Sequence, residues 1–88
     1  MQLFTASEKA FRDFIKEHQP RVYNTALNIL QNAEDAEEIT QDVFVEAFNK
    51  AHTFKGESQV STWLYRITTN KCIDHLRSKK RKKRFAFL

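Results

Sequence analysis

The sequence contains very few of the residues that end helices and build tight turns. Gly56 and Pro20 are the only glycine and the only proline among 88 residues. An all-β domain needs turn residues at intervals of about eight to twelve positions, so this scarcity argues against that class. We therefore expect one all-α domain, of a length at which a single core is just sufficient.

Other absences limit where the chain works. Cys72 is the only cysteine, which excludes an internal disulfide and fits a reducing cytoplasm. No apolar run approaches the eighteen or so residues of a membrane span. The N-terminus lacks the basic-then-apolar layout of a secretory signal. We expect a cytoplasmic protein without a membrane span.

Charge is unevenly distributed along the chain. The overall formal charge is +4, but residues 71–88 carry eight Lys or Arg against Asp74 alone, a balance of +7, which leaves −3 for residues 1–70. Six of the ten acids in that larger part fall between Glu34 and Glu46. Such a chain has two electrostatically different surfaces and is expected to have two partners.

Hydrophobic periodicity predicts a compact bundle of about four helices. Ser7 is placed to cap the first helix. Pro20 disfavours helical geometry at the residue before it, so we expect a break near residues 18–19 and a second helix over residues 20–30. Asn32 is a candidate cap for the third helix.

The third and fourth helices each have an apolar stripe. The third, over about residues 34–51, has its apolar face at Ala36, Ile39, Val43, Phe44, Ala47, Phe48 and Ala51. Its opposite face holds Glu34, Glu38, Gln41, Asp42, Val45 and Asn49. The fourth begins near Gln59, is capped by Ser58, and turns Val60, Trp63, Leu64, Ile67 and Leu76 inward.

The acidic face of the third helix has two interpretations. A charged helix face is usually only solvated, and composition alone gives that interpretation about even weight with a contact surface for a partner. Val45, an apolar residue in the middle of that face, favours contact.

A segment of aromatic residues precedes the basic end. Phe54 lies in a polar turn, while Tyr65 and Arg66 point away from the inward stripe of the fourth helix. Exposed aromatics beside cations stack unpaired bases, and Asn70 can pair with a base edge. The basic run binds phosphates without reading sequence; a solubilising tail is the alternative. Trp63 by itself is most simply a core residue.

No pattern indicates catalysis or a bound cofactor. The three histidines are scattered, and Cys72 with His75 makes only a pair, whereas zinc needs three or four ligands. We therefore expect a core cysteine and a surface histidine, and no metal. The sequence has no glycine-rich phosphate loop and no nucleophile motif.

The order of these blocks resembles a known family. "DAEEITQDVFVEAFNKAHTFKGESQVSTWLYRITTNKCIDHLRSKKRKK" is similar to the second conserved domain of bacterial RNA polymerase sigma factors, in the extracytoplasmic-function group. F-K-G-E-S followed by T-W-L-Y-R-I-x-x-N is its most specific part. The resemblance covers nearly the whole chain and is weakest over the first thirty residues. It implies a fold like sigma region 2.

The resemblance implies roles for individual residues. The segment that docks on the clamp helices of the polymerase β′ subunit matches Asp35, Glu38, Gln41, Asp42, Val45 and Glu46. The loop that receives a base flipped from the non-template strand of the minus-ten promoter element matches Phe54, Lys55, Gly56, Glu57 and Ser58. The helix that assists melting matches Trp63, Tyr65, Arg66 and Asn70. Promoter phosphate contacts match Lys71, Arg77, Lys79, Lys80 and Arg81.

The chain departs from the family pattern in one respect. Family members normally continue into a second helical domain that reads the minus-thirty-five element, and this sequence ends after the basic run. We expect a single domain over residues 1–88, with a core-binding helix at about 34–51 and a promoter-recognition loop and helix at about 53–84. We interpret the chain as a fragment, with a naturally short protein as the alternative.

The expected function is that of a non-enzymatic sigma-factor domain. Its partners would be core RNA polymerase, promoter DNA and, where one exists, an anti-sigma factor. A small helical interaction protein with a non-specific basic tail is the second interpretation. A metal-dependent nuclease is the third, because clustered acids on one helix are able to hold a metal.

Overall fold

Three long helices and one short 3-10 turn make up the computed structural model, which describes residues 8–54 and 59–86. Helix α1 spans Glu8–Leu30, α2 spans Ala33–Lys50 and α3 spans Val60–Ala86, with the 3-10 turn at Ala51–Thr53. The described part contains no strand, so the all-α prediction is confirmed. The predicted caps Ser7 and Ser58 lie outside the described residues.

The predicted break at Pro20 is wrong. Helix α1 continues through this residue, so the described residues form three long helices rather than about four. Proline removes one backbone hydrogen bond and costs a helix interior about 3 kcal/mol. The apolar face offsets this cost because Phe14, Val22, Ala26 and Leu30 are all buried on one continuous side of α1. Pro20 itself is exposed.

The chain reverses between α1 and α2 in two residues. Gln31 has a positive φ of 55°, and its backbone N–H donates to the carbonyl of Leu27 at 2.8 Å. The left-handed conformation ends α1 as a C-terminal cap does. Asn32 then caps α2, as predicted, because its side-chain oxygen accepts a hydrogen bond from the backbone N–H of Asp35 at 2.9 Å.

The core lies where the three helices meet. Its buried members from α2 and α3 include Val43, Phe44, Leu64, Ile67 and Cys72. Two buried threonines also lie in the core, and burial leaves neither hydroxyl without a hydrogen bond. Thr40 and Thr68 each donate to a carbonyl one turn earlier, both at 2.7 Å.

Two residues of the predicted inward stripes are exposed instead. Phe48 is 51% exposed and Leu76 is 41% exposed. Leu76 is exposed because α3 is longer than its neighbours: 27 residues make a rod of about 40 Å. Every described side chain over residues 79–84 is exposed, so the last turns of α3 project beyond the core.

Candidate functional surfaces

The outer side of α2 carries an exposed acidic face. The name covers Glu34, Glu38, Gln41, Asp42, Val45 and Asn49, which are all exposed and, apart from the adjacent Gln41 and Asp42, follow at intervals of three or four residues. Val45 is 60% exposed. The face therefore combines carboxylates with one apolar side chain, which suits a partner that is both basic and apolar.

An apolar groove adjoins the acidic face on the side of α1. Its volume is about 310 Å³, and it is lined by Phe11, Ile15, Gln19, Thr40, Gln41, Phe44, Val45 and Phe48. At one end the rings of Phe11 and Phe48 meet edge to face, with centroids 4.9 Å apart. Gln41 and Val45 belong to both surfaces, so the acidic face and the groove are continuous.

Sequence reasoning missed the contribution of α1 to this surface. Ile15 and Gln19 line the groove from α1, although no prediction gave them a role in binding. The available signal was Phe48, which lies at the edge of the apolar arc of α2 and next to its polar face.

The opposite flank of α2 faces α3 through what we call the α2–α3 seam. The seam consists of Asp35 and Glu46 on α2 and Lys71, His75 and Lys79 on α3. Lys71 Nζ lies 3.1 Å from Glu46 Oε1, and His75 Nε2 lies 3.3 Å from Asp35 Oδ2. Lys79 Nζ also donates to Asp35 Oδ2. Three cross-helix contacts thus join residues far apart in sequence.

The seam lowers the pKa of both carboxyl groups. The hydrogen bond from Lys79 is the main reason that the pKa of Asp35 lies below its ordinary value. Burial by itself would raise the pKa of Glu46, but the hydrogen bonds and charges of Lys71 and Lys50 outweigh it and lower the pKa. Both acids are therefore ionised near neutral pH.

Four of the six predicted docking residues lie on the acidic face. They are Glu38, Gln41, Asp42 and Val45. Asp35 and Glu46 lie in the seam instead, where their side chains are only 17% and 29% exposed. The structure therefore divides the predicted docking set between two flanks of α2.

The outward side of α3 carries a flank of predicted DNA contacts. Trp63, Arg66, Asn70, Arg77 and Arg81 follow at spacings of 3, 4, 7 and 4 residues, which places them on one side of a helix that turns about 100° per residue. We call this set the α3 flank. Phe54 lies beside its first member, with the two ring centroids 5.4 Å apart.

Tyr65 does not join that flank. Two residues after Trp63, it lies about 200° further around α3. It is 57% exposed, as predicted, but it borders a narrow crevice against α1 that also contains His18 and Arg21. The other predicted loop residues, Lys55, Gly56, Glu57 and Ser58, lie outside the described residues.

Seven of the nine Lys and Arg residues of α3 fall into two sets. Arg77, Lys80, Arg81, Lys83 and Arg84 line one open surface along the projecting turns, together with Asp74. Lys71 and Lys79 instead face α2 in the seam. The predicted phosphate contacts are therefore not equivalent in position.

The remaining candidate groups do not form a metal site within residues 8–54 and 59–86. These ranges contain no group of three or more His, Cys, Asp or Glu side chains that is able to hold a metal ion. Cys72 is fully buried, as predicted for a core cysteine, and burial raises the pKa of its thiol. His75 is half-buried rather than a surface residue, because it packs against Asp35.

Within the same ranges, no helix has the length and apolar character needed to cross a membrane.

Comparisons with known proteins agree on one family. The model of the family described as Sigma-70 region 2 matches residues 14–82. The chain is 35% identical over 79 residues to the ECF RNA polymerase sigma factor SigW of Bacillus subtilis, covering 90% of this chain and 42% of the relative.

Two further relatives give similar values. Identity to the ECF RNA polymerase sigma factor SigM of Mycobacterium tuberculosis is 34% over 71 residues, which covers 81% of this chain and 36% of the relative. Identity to the ECF RNA polymerase sigma factor RpoE of Cereibacter sphaeroides is 35% over 71 residues, which covers 80% of this chain and 39% of the relative. The chain thus spans about two fifths of the length of these curated relatives.

Proposed function

Because the chain belongs to the Sigma-70 region 2 family, we propose that it docks on core RNA polymerase through α2 and helps to recognise and open the minus-ten promoter element through α3. It acts as a binding module rather than as an enzyme. The polymerase partner places this activity in the cytoplasm. The observation that carries the proposal is the separation of the exposed acidic face on α2 from the α3 flank, which combines the half-buried Trp63 with the exposed polar and basic side chains of Arg66, Asn70, Arg77 and Arg81.

The docking surface on α2 has the composition of a protein interface. Its centre is apolar, with Val45 exposed beside the groove between α1 and α2. Its rim is charged, with Glu38 and Asp42 one turn apart on the acidic face. An apolar centre with a polar rim fits a partner helix that inserts an apolar side chain and carries Arg or Lys around it. We assign this partner as the clamp helices of the β′ subunit, with which the family resemblance pairs this segment.

The α3 flank has the composition of a single-strand binding surface. Phe54 and Trp63 provide aromatic area at one end, and Asn70 lies two turns further along the helix. An aromatic side chain stacks on any base, at about 1–3 kcal/mol per base, whereas an amide pairs with particular base edges. An unstacked base of the non-template strand is therefore the proposed ligand of this end. The cations of the open basic surface, among them Arg77, Lys80 and Arg81, hold the backbone that continues from it.

Binding to purified core polymerase tests the docking half of the proposal. Replacing Glu38 and Asp42 together by lysine should weaken binding by about 2–5 kcal/mol, since two desolvated interface charges become repulsive. The matched control reverses Asp13 and Glu17, which are two exposed acids at the same four-residue spacing on α1. Both variants should keep the parent's helical circular dichroism.

The affinities of these two variants for core polymerase test the docking assignment. Weakening by the α2 variant alone supports docking through the acidic face. If both variants lose the same affinity, the effect is one of net charge, and the docking assignment is wrong. If neither loses affinity, the chain meets polymerase elsewhere.

A further inference from the structure

Two of the lysines that the family pattern matches to DNA contacts already have anionic partners inside the domain. Lys71 Nζ lies 3.1 Å from Glu46 Oε1, and the side chain of Lys71 is only 27% exposed. Lys79 donates to Asp35 across 44 residues of sequence. Neither lysine lines the open basic surface that contains Lys80 and Arg81.

Both acids of the seam have partners on α3. Asp35 and Glu46 are turned away from the acidic face and pack against α3, where each accepts a lysine. Asp35 also has His75 beside it, at 3.3 Å. The lowered pKa of both carboxyl groups agrees with contacts that favour their ionised forms.

We infer that Asp35 and Glu46 form ion pairs with Lys79 and Lys71 that keep these two lysines from binding DNA phosphates. In this role the two acids position α3 rather than bind polymerase. A carboxylate and a phosphate compete for the same ammonium group, because both are anionic oxygen acceptors. A lysine held by a carboxylate displaces no counterion from DNA, so it adds nothing to the salt dependence of binding. This inference rests on the proposed binding of DNA by α3.

Lys79 and Lys80 provide a matched pair of cations for the first test. They are adjacent on α3 and both are exposed, but only Lys79 has a partner in the seam. The measurement is the slope of log K against log salt concentration for a single-stranded oligonucleotide. Lys80→Ala should reduce the slope by about 0.7, the value for one lost contact to a single strand. Lys79→Ala should leave the slope unchanged.

Glu34 and Asp35 provide a matched pair of acids for the second test. Both are in the first turn of α2, so Glu34→Gln and Asp35→Asn remove the same charge from the same end of the helix. Only Asp35→Asn releases Lys79. The released lysine should raise affinity for the oligonucleotide by about 1.4- to 5-fold, the range expected for one exposed ion pair, and should steepen the slope by about 0.7. Glu34→Gln should leave the slope unchanged.

Two controls protect this comparison from effects on folding. Asn32 caps α2 through the backbone N–H of residue 35, and Asp35→Asn keeps that donor. The double variant Asp35→Asn with Lys79→Ala should return to the parent's slope, because the released lysine is then absent. Asp35→Asn should also bind core polymerase as the parent does, whereas a docking residue would lose affinity.

The outcomes separate this inference from the proposed function. If Lys79→Ala flattens the slope as much as Lys80→Ala, Lys79 contacts phosphate already and the inference is overturned, while DNA binding by α3 stands. If Asp35→Asn and Glu34→Gln raise affinity equally without a change in slope, only the overall field matters and the inference is again overturned. If neither lysine variant changes the slope, the basic end does not hold phosphates, and both proposals fail.

Discussion

The two halves of α3 differ in the interactions that stabilise them. The packed half, residues 60–72, buries Leu64, Ile67, Thr68 and Cys72 at 7% exposure or less. No described side chain of the projecting half, residues 73–86, belongs to the core cluster. This half contacts α2 where His75 and Lys79 meet Asp35. One helix is therefore fixed by tertiary packing at one end and mainly by helix propensity at the other.

This difference suggests a division of work along the helix. Reading a base requires side chains held in a fixed position, and Trp63 and Asn70 lie on the half that the core fixes. Holding a phosphate backbone requires charge more than precise position, and the projecting half supplies it through Arg77, Lys80 and Arg81. Selectivity is expected from the packed half and sequence-neutral affinity from the projecting half.

Replacing one leucine by alanine in each half of α3 should give the largest difference in the free energy of unfolding. Leu64→Ala removes a side chain that is only 2% exposed and should lower the free energy of unfolding by about 2–5 kcal/mol. Leu76→Ala acts at a residue that is 41% exposed and should cost less than about 1 kcal/mol. Chemical denaturation monitored by circular dichroism measures both. If both variants lost the same free energy of unfolding, the projecting half would be as well packed in solution as the other half, and the proposed difference between the two halves of α3 would be wrong.

Asn70 and Arg77 test the division between selectivity and affinity. Asn70→Ala should remove about 1–3 kcal/mol of discrimination between single-stranded minus-ten-like oligonucleotides that differ at one position. Arg77→Ala, one turn into the projecting half, should weaken binding to all of them alike. Both residues are exposed, so thermal stability should not change. If Asn70→Ala keeps the parent's preference at every position, Asn70 reads no base. If it melts the domain instead, Asn70 is a structural residue.

The pair of aromatics at the start of α3 should show a smaller coupling. Phe54 and Trp63 lie 5.4 Å apart at a tilt of 57°, a geometry worth about 0.5–1.5 kcal/mol beyond burial. A double-mutant cycle of Phe54→Ala and Trp63→Ala on the free energy of unfolding measures it. Trp63→Ala alone should cost less than the roughly 3–5 kcal/mol of a fully packed tryptophan, since Trp63 is half-buried. Strictly additive costs would show that the two rings are independent.

Sequence reasoning identified the helical class, the cap at Asn32 and the exposed acidic face, because each depends on local spacing and residue type. It placed a break at Pro20 because the local penalty is real, whereas the packing that offsets it comes from α2 and α3. The inward assignment of Leu76 failed for a related reason: periodicity indicates a face of α3, but not where the neighbouring helices end.

The seam could not be predicted from the same patterns. Glu46 meets Lys71 and Asp35 meets Lys79 because α2 packs against α3 in one particular register. A periodic pattern in one helix does not contain that register, so Asp35 and Glu46 were grouped with the acidic residues beside them in sequence. The roles of the predicted binding residues remain predictions, and residues 55–58 lie outside the described part of the chain.

The smallest expected effect concerns the ion pair that holds the packed half to α2. The pKa of Glu46 is lower in the folded domain than its ordinary value, so the folded state binds a proton at this group less readily than the unfolded state does. The pairs of Glu46 with Lys71 and Lys50 therefore stabilise the domain above pH 4.5, the ordinary pKa of this group, and their contribution disappears as the pH falls through the lower folded pKa. Glu46→Gln should lower the melting temperature at pH 7 by a few degrees, since a partly exposed pair is worth less than about 1 kcal/mol. As the pH falls through that lower folded value, the parent should lose its advantage and melt close to the variant. Glu38→Gln, on the acidic face, is the charge-matched control and should melt with the parent at pH 7. A difference between parent and Glu46→Gln that stays constant as the pH is lowered until the domain unfolds would mean that Glu46 stabilises the domain by packing and not by ionic contacts.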